Sequence, residues 1–194
     1  MEIFTSWASW RQAEGPLAKA LPPETVDTLR EAVGFAGRQH GVQQRPTGRP
    51  YLEHLLEALE VAVTGAGVVD RDVLVAIVLH DVVEDTPCTE AEIARRFGPR
   101  VAEFVRWVTK RRGVAKADYL ATLVKAPPGA VLVKLADRVS NVQELQRMSW
   151  RFQRRYYLET VAYIMPLAGA HPWFARWYAE WRERWRRVER WPAH

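Results

Sequence analysis

The sequence predicts an all-α protein, a helical bundle of about eight or nine helices. Apolar residues recur at the three- and four-residue spacing of amphipathic helices through most of the 194 residues. The sequence contains no alternating strand pattern longer than a few residues and no internal repeat. Apolar residues make up 48% and charged residues 26% of the chain, as in ordinary globular domains. We expect residues 1–194 to form a single domain with one core.

Helix start and stop signals set the limits of these helices. Pro23 suits a first helical turn, Asp70 is a good N-cap residue, and Thr89-x-x-Glu92 is a capping box. Clusters of turn-forming residues, such as residues 41–50, separate the helices. The predicted helices cover about residues 23–40, 51–63, 71–81, 90–97, 100–110 and 131–148, followed by two more that meet near residues 169–172.

The C-terminal segment, residues 171–190, is predicted to be a helix rich in tryptophan and arginine. Trp173, Trp177, Trp181 and Trp185 are four residues apart, so they form one aromatic stripe on a helix. This pattern predicts a helix that packs on the rest of the domain or on a second subunit of a homo-oligomer. The alternatives are a surface that stacks on single-stranded nucleic acid and a helix that lies on a membrane.

Charge and cysteine content limit the partners and the location of the protein. The net charge of +5 favours anionic ligands such as nucleotides, whereas nucleic acid is a disfavoured partner. The single cysteine, Cys88, excludes an internal disulfide and a cysteine zinc site. Neither a run of eighteen apolar residues nor a secretion signal is present, so we expect a cytoplasmic protein with no membrane partner.

Ionisable residues are concentrated at the end of the most apolar helix. Residues 72–78 read D-V-L-V-A-I-V, and residues 79–86 continue as L-H-D-V-V-E-D-T. A buried carboxylate without a partner is costly, or it shifts its pKa until it is neutral. One histidine and three carboxylates within six residues therefore require compensation, and a bound cation is the simplest source of it.

Four side chains are candidate metal ligands. His54 lies near the start of its helix in P-Y-L-E-H-L-L. His80 and Asp81 close the apolar helix, and Asp137 lies in the apolar segment L-V-K-L-A-D-R-V. Two neutral imidazoles and two carboxylates carry a charge of −2, which a divalent metal neutralises. Each residue alone has a structural explanation, such as an ion pair between Asp137 and Lys134, but their combination favours a metal.

The order and spacing of these motifs resemble the HD phosphohydrolase superfamily. The string H-D-V-V-E-D-T, with R-P-Y-L-E-H before it and V-K-L-A-D-R-V-S-N after it, is similar to the hydrolase domain of RelA/SpoT homologues. The resemblance extends from about Val26 to Ala168. It implies an HD-domain helical bundle that removes the 3′-diphosphate from (p)ppGpp. Because the chain ends at His194, it resembles the stand-alone small alarmone hydrolases, without a synthetase domain.

The resemblance also implies a metal and a catalytic pair. One Mn²⁺ per chain is implied, with the ligand set His54, His80, Asp81 and Asp137. Glu84 and Asp85 match the catalytic carboxylates. Glu84 follows His80 by one helical turn, so we expect it to reach over the metal to the attacking water and to take its proton.

For the guanosine nucleotide substrate, the resemblance implies further contacts. Arg45 matches the arginine that stacks on the guanine base. Lys134 matches a lysine on the phosphate side, and Asn141 matches a residue near the ribose or the base. The basic loop at residues 110–116, which includes Lys116, is a candidate contact for the pyrophosphate, although such charge runs are more often solvated.

Two departures from the family pattern bear on the substrate. Pro46 stands where relatives usually have a lysine, and Ser140 stands where they usually have a histidine. The first choice remains a (p)ppGpp 3′-pyrophosphohydrolase that yields GDP or GTP plus pyrophosphate. The alternatives are an HD phosphohydrolase acting on NADPH or a 5′-mononucleotide, and a catalytically idle nucleotide-sensing module. The intact Glu84-Asp85 pair argues against an idle module.

Overall fold

The computed structural model describes residues 1–190, and its regular secondary structure in that range is helical apart from one isolated bridge between Gln44 and Pro50. The all-α prediction is therefore confirmed. The helices are α1 (Trp10–Ala20), α2 (Pro23–His40), α3 (Tyr51–Glu60), α4 (Arg71–Leu79), the single turn α5 (Val82–Asp85), α6 (Glu90–Phe97), α7 (Pro99–Val108), α8 (Lys116–Thr122), α9 (Pro128–Val142), α10 (Trp150–Glu159) and α11 (Pro172–Trp185). None of them is both long and apolar enough to cross a bilayer.

Two helices were not predicted, and one is shorter than predicted. These two are α1, which contains Pro16, and α8, which has only seven residues. Helix α9 ends at Val142 rather than near residue 148, because the backbone of Glu144 leaves the helical region and a short 3₁₀ turn follows at Leu145–Arg147. Just after this helix end, the Gln143 side chain bonds to the N-terminal segment, a tertiary contact that no local pattern reveals.

Helix α4 lies at the centre of the molecule. It packs against α2, α3, α7 and α9, and all of its residues from Val73 to Leu79 are buried. This burial explains why the segment is apolar on nearly every face. The Asp70 carboxylate caps the helix by accepting hydrogen bonds from the amides of Asp72 (3.0 Å) and Val73 (3.2 Å), as predicted. The packing brings the C-terminal end of α4, and the motif that follows it, into the interior.

The tryptophan stripe of α11 packs on the rest of this chain. Trp177, Trp181 and Trp185 are buried. The indole Nε1 of Trp181 donates to the carbonyl of Val142 (3.0 Å), and that of Trp177 donates to the carbonyl of Glu2 (2.9 Å). The first of the predicted arrangements, docking on the domain, is therefore the one observed for these three residues, and little of their surface remains to stack on nucleic acid.

We predict that Trp181→Ala destabilises the protein by about 3–5 kcal/mol, because a fully buried indole and its hydrogen bond are lost. The matched control is Trp150→Ala, since Trp150 is 42% exposed and its truncation should cost less than about 1 kcal/mol. Urea unfolding of both variants measures the two changes. Equal losses in the two variants would show that α11 is not anchored through this indole.

Candidate metal centre and catalytic cleft

Three of the predicted ligands come from three helices that pack together. His54 lies on α3, His80 directly follows α4, and Asp137 lies on α9, with exposed fractions of 2%, 1% and 5%. Because α4 packs against both α3 and α9, the three side chains meet in the interior. Side chains far apart in sequence therefore share one buried position.

The distances between the ligand atoms fit one metal ion. His54 Nε2 lies 3.2 Å from His80 Nε2 and 3.4 Å from Asp137 Oδ1, and His80 Nε2 lies 3.5 Å from the same oxygen. Ligands bound about 2.1 Å from one ion lie about 3.0–3.4 Å apart in octahedral or tetrahedral arrangements. These three residues form the group in residues 1–190 that could hold a metal. Asp81 Oδ2 lies 2.9 Å from His80 Nε2 and 3.6 Å from His54 Nε2, so a fourth donor is adjacent.

The electrostatics of the cluster favour a bound positive charge. Burial opposes ionisation of Asp137, but the Lys134 ammonium and the His80 ring hold the pKa of this carboxyl well below its usual value. Burial likewise opposes a charge on His80, yet Asp81 and Asp137 raise the pKa of its imidazole well above the usual value. The buried Asp137 and the partly buried Asp81 thus remain ionised and attract a proton or a metal cation.

Neighbouring groups orient two of the ligands. His80 Nδ1 donates to the carbonyl of Ile77 (2.7 Å), which leaves the lone pair on Nε2 for a metal. The Tyr51 hydroxyl donates a short hydrogen bond to Asp81 Oδ2. Tyr51 was not predicted to act at the site. Its position three residues before His54, on the same helix face, is the signal that could have identified it.

Asp137 is held by two residues that were predicted to bind substrate. Lys134 Nζ lies 2.8 Å from Asp137 Oδ2, and Asn141 Nδ2 donates to Asp137 Oδ1 (2.6 Å). Both residues lie on the face of α9 that carries Asp137, as their spacing predicted. The observed partner of both side chains is the Asp137 carboxylate. They therefore hold this candidate metal ligand, whereas their predicted contact with the substrate stays a prediction.

The predicted catalytic carboxylates line a cleft with basic residues. The sequence predicted that Glu84 and Asp85 lie in the next turn of the helix that carries His80. Helix α4 instead ends at Leu79, and the two carboxylates belong to the separate turn α5. The cleft has a volume of about 540 Å³ and is lined by Val83, Glu84, Asp85, Glu90, Thr109, Lys110, Arg111 and Arg112. Carboxylates and cations thus share one opening.

Both carboxylates are held by hydrogen bonds. Glu84 Oε2 accepts from the backbone amide of Lys110 (2.7 Å), and Asp85 Oδ2 accepts from Gln43 Nε2 (2.9 Å). Desolvation raises the pKa of the Glu84 carboxyl above its usual value, against the lowering effect of the Lys110 amide. A carboxylate with a raised pKa is better suited to accept a proton from water.

Two of the predicted substrate contacts are engaged elsewhere. Lys116 begins α8 instead of belonging to the basic loop, and its ammonium lies 2.8 Å from Glu159 Oε2. It does not line the cleft that contains Lys110. The Arg45 side chain is only 9% exposed and pairs with Glu57 Oε2 at 2.6 Å, so it offers a base little free surface. Local sequence patterns did not identify either acidic partner.

The sequence signature of the HD domain matches residues 32–173. The chain belongs to the HD-domain family. The matched range contains all the candidate ligands and both candidate catalytic carboxylates. The resemblance drawn from the motifs is therefore confirmed at the level of the family.

Known relatives add a more particular similarity. Human MESH1, named as a guanosine-3′,5′-bis(diphosphate) 3′-pyrophosphohydrolase, is 38% identical over 147 residues, which cover 71% of this chain and 82% of MESH1. A protein of the same enzyme name from Aquifex aeolicus is 36% identical over 154 residues, which cover 75% of this chain but only 22% of that protein. The solved structure of a metazoan ortholog of SpoT that hydrolyzes ppGpp has a TM-score of 0.74 and 27% identity, and the match covers 81% of this chain and 94% of that one.

We predict that Lys134→Met lowers the stability of the metal-free protein by about 3–5 kcal/mol, because it leaves the Asp137 carboxylate buried without its ion-pair partner. Mn²⁺ should recover part of the loss, since a bound cation replaces the missing positive charge. The control is Lys125→Met, which removes an exposed lysine. Thermal unfolding with and without Mn²⁺ measures both effects, and a Lys134→Met protein as stable as the control would contradict this account.

Proposed function

We propose that this protein is a metal-dependent (p)ppGpp 3′-pyrophosphohydrolase that yields GDP or GTP plus pyrophosphate. The observation that carries the proposal is the buried imidazole and carboxylate cluster, followed directly in the chain by a cleft lined with carboxylates and cations. The relatives at 36–38% identity, whose names state this activity, support it. We also propose that residues 1–194 act as one domain, since α11 and the N-terminal residues pack on the same core. We retain the cytoplasmic location expected from the sequence as part of the proposal.

We propose Mn²⁺ as the metal, one ion per chain. The ligands would be His54, His80, Asp81 and Asp137. Their mixed nitrogen and oxygen donors and their net charge of −2 fit a divalent transition metal of this kind. When bound, such an ion supplies a water molecule of lowered pKa and offsets the negative charge of the phosphate under attack.

In the proposed reaction, the protein residues position water and substrate and move a proton. Glu84, with its raised pKa, takes a proton from the water that attacks the phosphorus attached to the ribose 3′ oxygen. The bond between that phosphorus and the 3′ oxygen breaks, the proton that Glu84 accepted passes to the leaving ribose oxygen, which departs as a hydroxyl, and pyrophosphate is released. Asp85, which lies in the same short turn as Glu84 and is held by Gln43, would help to orient the attacking water.

The cations of the cleft would hold the phosphates. Lys110, Arg111 and Arg112 face the opening that also contains Glu84 and Asp85, and the residues that the structure describes give their side chains no ion-pair partner. Since Lys116 is paired with Glu159, the proposed phosphate contact rests on residues 110–112 rather than on the whole loop. Lys134 forms an ion pair with Asp137, and its ammonium would add positive charge on the phosphate side of the site.

The nucleoside end of the site is proposed to lie between the 41–50 loop and the end of α9. Arg45, Asn141 and Arg147 line a narrow cleft there. Its volume is only about 10 Å³, so a base requires side-chain movement to enter. Arg147, whose side chain is 54% exposed and pairs with Glu144 at 3.0 Å, would be the side chain that moves. Arg45 would then contact the base from the floor of the opened cleft.

We predict that Glu84→Gln lowers kcat by roughly 10²–10⁴-fold while the protein keeps its metal, because the amide cannot accept the proton. Asp81→Ala should instead lose both metal and activity. Metal analysis of the purified variants, together with steady-state kinetics, separates the two roles. The exposed Glu103→Gln on α7 is the control and should match the wild type. Loss of metal from Glu84→Gln would mean that Glu84 is a ligand and would refute its assignment as a base.

We predict that the Mn²⁺-loaded protein releases pyrophosphate from ppGpp and leaves NADPH and 5′-mononucleotides intact. The measurement is product identification by chromatography and phosphorus NMR over that nucleotide panel. Protein treated with a chelator is the control and should be inactive. Orthophosphate released from NADPH or from a 5′-mononucleotide, with ppGpp unchanged, would favour the alternative that Pro46 and Ser140 leave open.

A further inference from the structure

We propose that Ser140 and Glu57 are positioning residues that fix the ring of His54 for metal binding. The inference rests on the metal site of the proposed function, but it does not depend on the nature of the substrate. Ser140 is a buried serine on α9, three residues after Asp137, and Glu57 is a buried glutamate one helical turn after His54 on α3. Neither residue was predicted from the sequence to act at the metal.

The three side chains form a continuous chain of hydrogen bonds. His54 Nδ1 lies 2.9 Å from Ser140 Oγ, and Ser140 Oγ lies 2.8 Å from Glu57 Oε2. All three residues are buried. The carbonyl oxygen of His54, another acceptor for the Ser140 hydroxyl, is more distant at 3.5 Å. The geometry therefore favours a bond from Ser140 to the carboxylate.

The direction of each hydrogen bond follows from the chemistry of its groups. An ionised carboxylate only accepts, so the single proton of the Ser140 hydroxyl points to Glu57. The Ser140 oxygen then accepts, and His54 Nδ1 must carry the proton that it receives. In a neutral imidazole with a proton on Nδ1, the lone pair is on Nε2. Nε2 is the atom of His54 that faces His80 and Asp137.

Two arginines supply the charge that a buried Glu57 requires. Arg45 Nη1 lies 2.6 Å from Glu57 Oε2, and Arg49 Nη1 lies 2.9 Å from Glu57 Oε1. Arg45 Nη2 also donates to the carbonyl of Ser140 at 3.2 Å. The 41–50 loop is thereby fastened to α3 and α9 through the same carboxylate that orients Ser140. Arg45 thus already has an ion-pair partner within the protein, the Glu57 carboxylate.

The two metal histidines obtain the same tautomer by different means. For His80, the backbone carbonyl of Ile77 accepts from Nδ1. For His54, the side chain of Ser140 provides that acceptor, and Glu57 sets the direction of its hydroxyl. Groups that accept from the far nitrogen of a metal-bound histidine typically affect metal affinity by roughly 10–100-fold. Ser140 is therefore expected to control Mn²⁺ affinity from outside the ligand set.

The test is the Mn²⁺ dissociation constant of the folded protein, read from the electron paramagnetic resonance signal of free Mn²⁺. Ser140→Ala should raise this constant by roughly 10–100-fold, and Ser140→Thr, which keeps the hydroxyl, should stay within a few-fold of the wild type. A second pair guards against a general packing defect. Ser140→Val and Ser140→Thr have nearly the same shape, so a difference in affinity between them isolates the hydroxyl.

Thr160→Val is the control for losing a buried hydroxyl, because Thr160 Oγ1 donates only to the carbonyl of Tyr156 on α10. It should lower stability without changing Mn²⁺ affinity. Equal affinities for the valine and threonine variants of Ser140, or an unchanged constant in Ser140→Ala, would overturn the positioning role. If the wild-type protein binds no Mn²⁺, the metal site of the proposed function fails as well. Inactivity towards ppGpp alongside normal Mn²⁺ binding would leave the positioning role intact.

Discussion

The concentration of negative charge between α3, α4 and α9 is the constraint on which the rest of the structure depends. Two ionised carboxylates, the buried Asp137 and the partly buried Asp81, lie within 3.6 Å of two imidazole nitrogens, and each stays charged against the cost of desolvation. A lysine provides part of the compensation, but the ligand atoms facing one another still require a cation at their centre. Their separation is set by the packing of three helices, so the site exists only when those helices are assembled.

The surrounding protein holds this cluster in one arrangement. A backbone carbonyl fixes His80, a phenol fixes Asp81, and an ammonium and an amide hold Asp137. Farther out, Gln143 exchanges hydrogen bonds of 2.8 Å with both backbone groups of Phe4, so the N-terminal segment is fastened to the end of α9. Polar contacts thus hold the ligands in place and also join the helices that carry them to the outer parts of the molecule. Because of these contacts, the ligand side chains have little freedom to move.

Much of the fold was predictable because the signals were local. The cap at Asp70, the proline at the start of α2 and the all-round apolar pattern of α4 each depend on a few neighbouring residues. The convergence of His54, His80 and Asp137 was predicted from composition and from family resemblance. The partners of Arg45 and Lys116 were not, because Glu57 and Glu159 are distant in sequence from the positions that they neutralise. The end of α9 was missed for the same reason. At this end, Gln143 bonds to Phe4, which is distant in sequence.

The most direct test of the central claim is anomalous X-ray diffraction at the manganese absorption edge from crystals grown with Mn²⁺. We expect one strong peak per chain, within coordination distance of His54 Nε2, His80 Nε2 and the carboxylates of Asp81 and Asp137. Glu84 should lie outside that coordination sphere. A peak bound by Glu84 in place of one of these residues, or crystals of the Mn²⁺-treated protein without a peak in this interior position, would contradict the claim that one cation holds the cluster together.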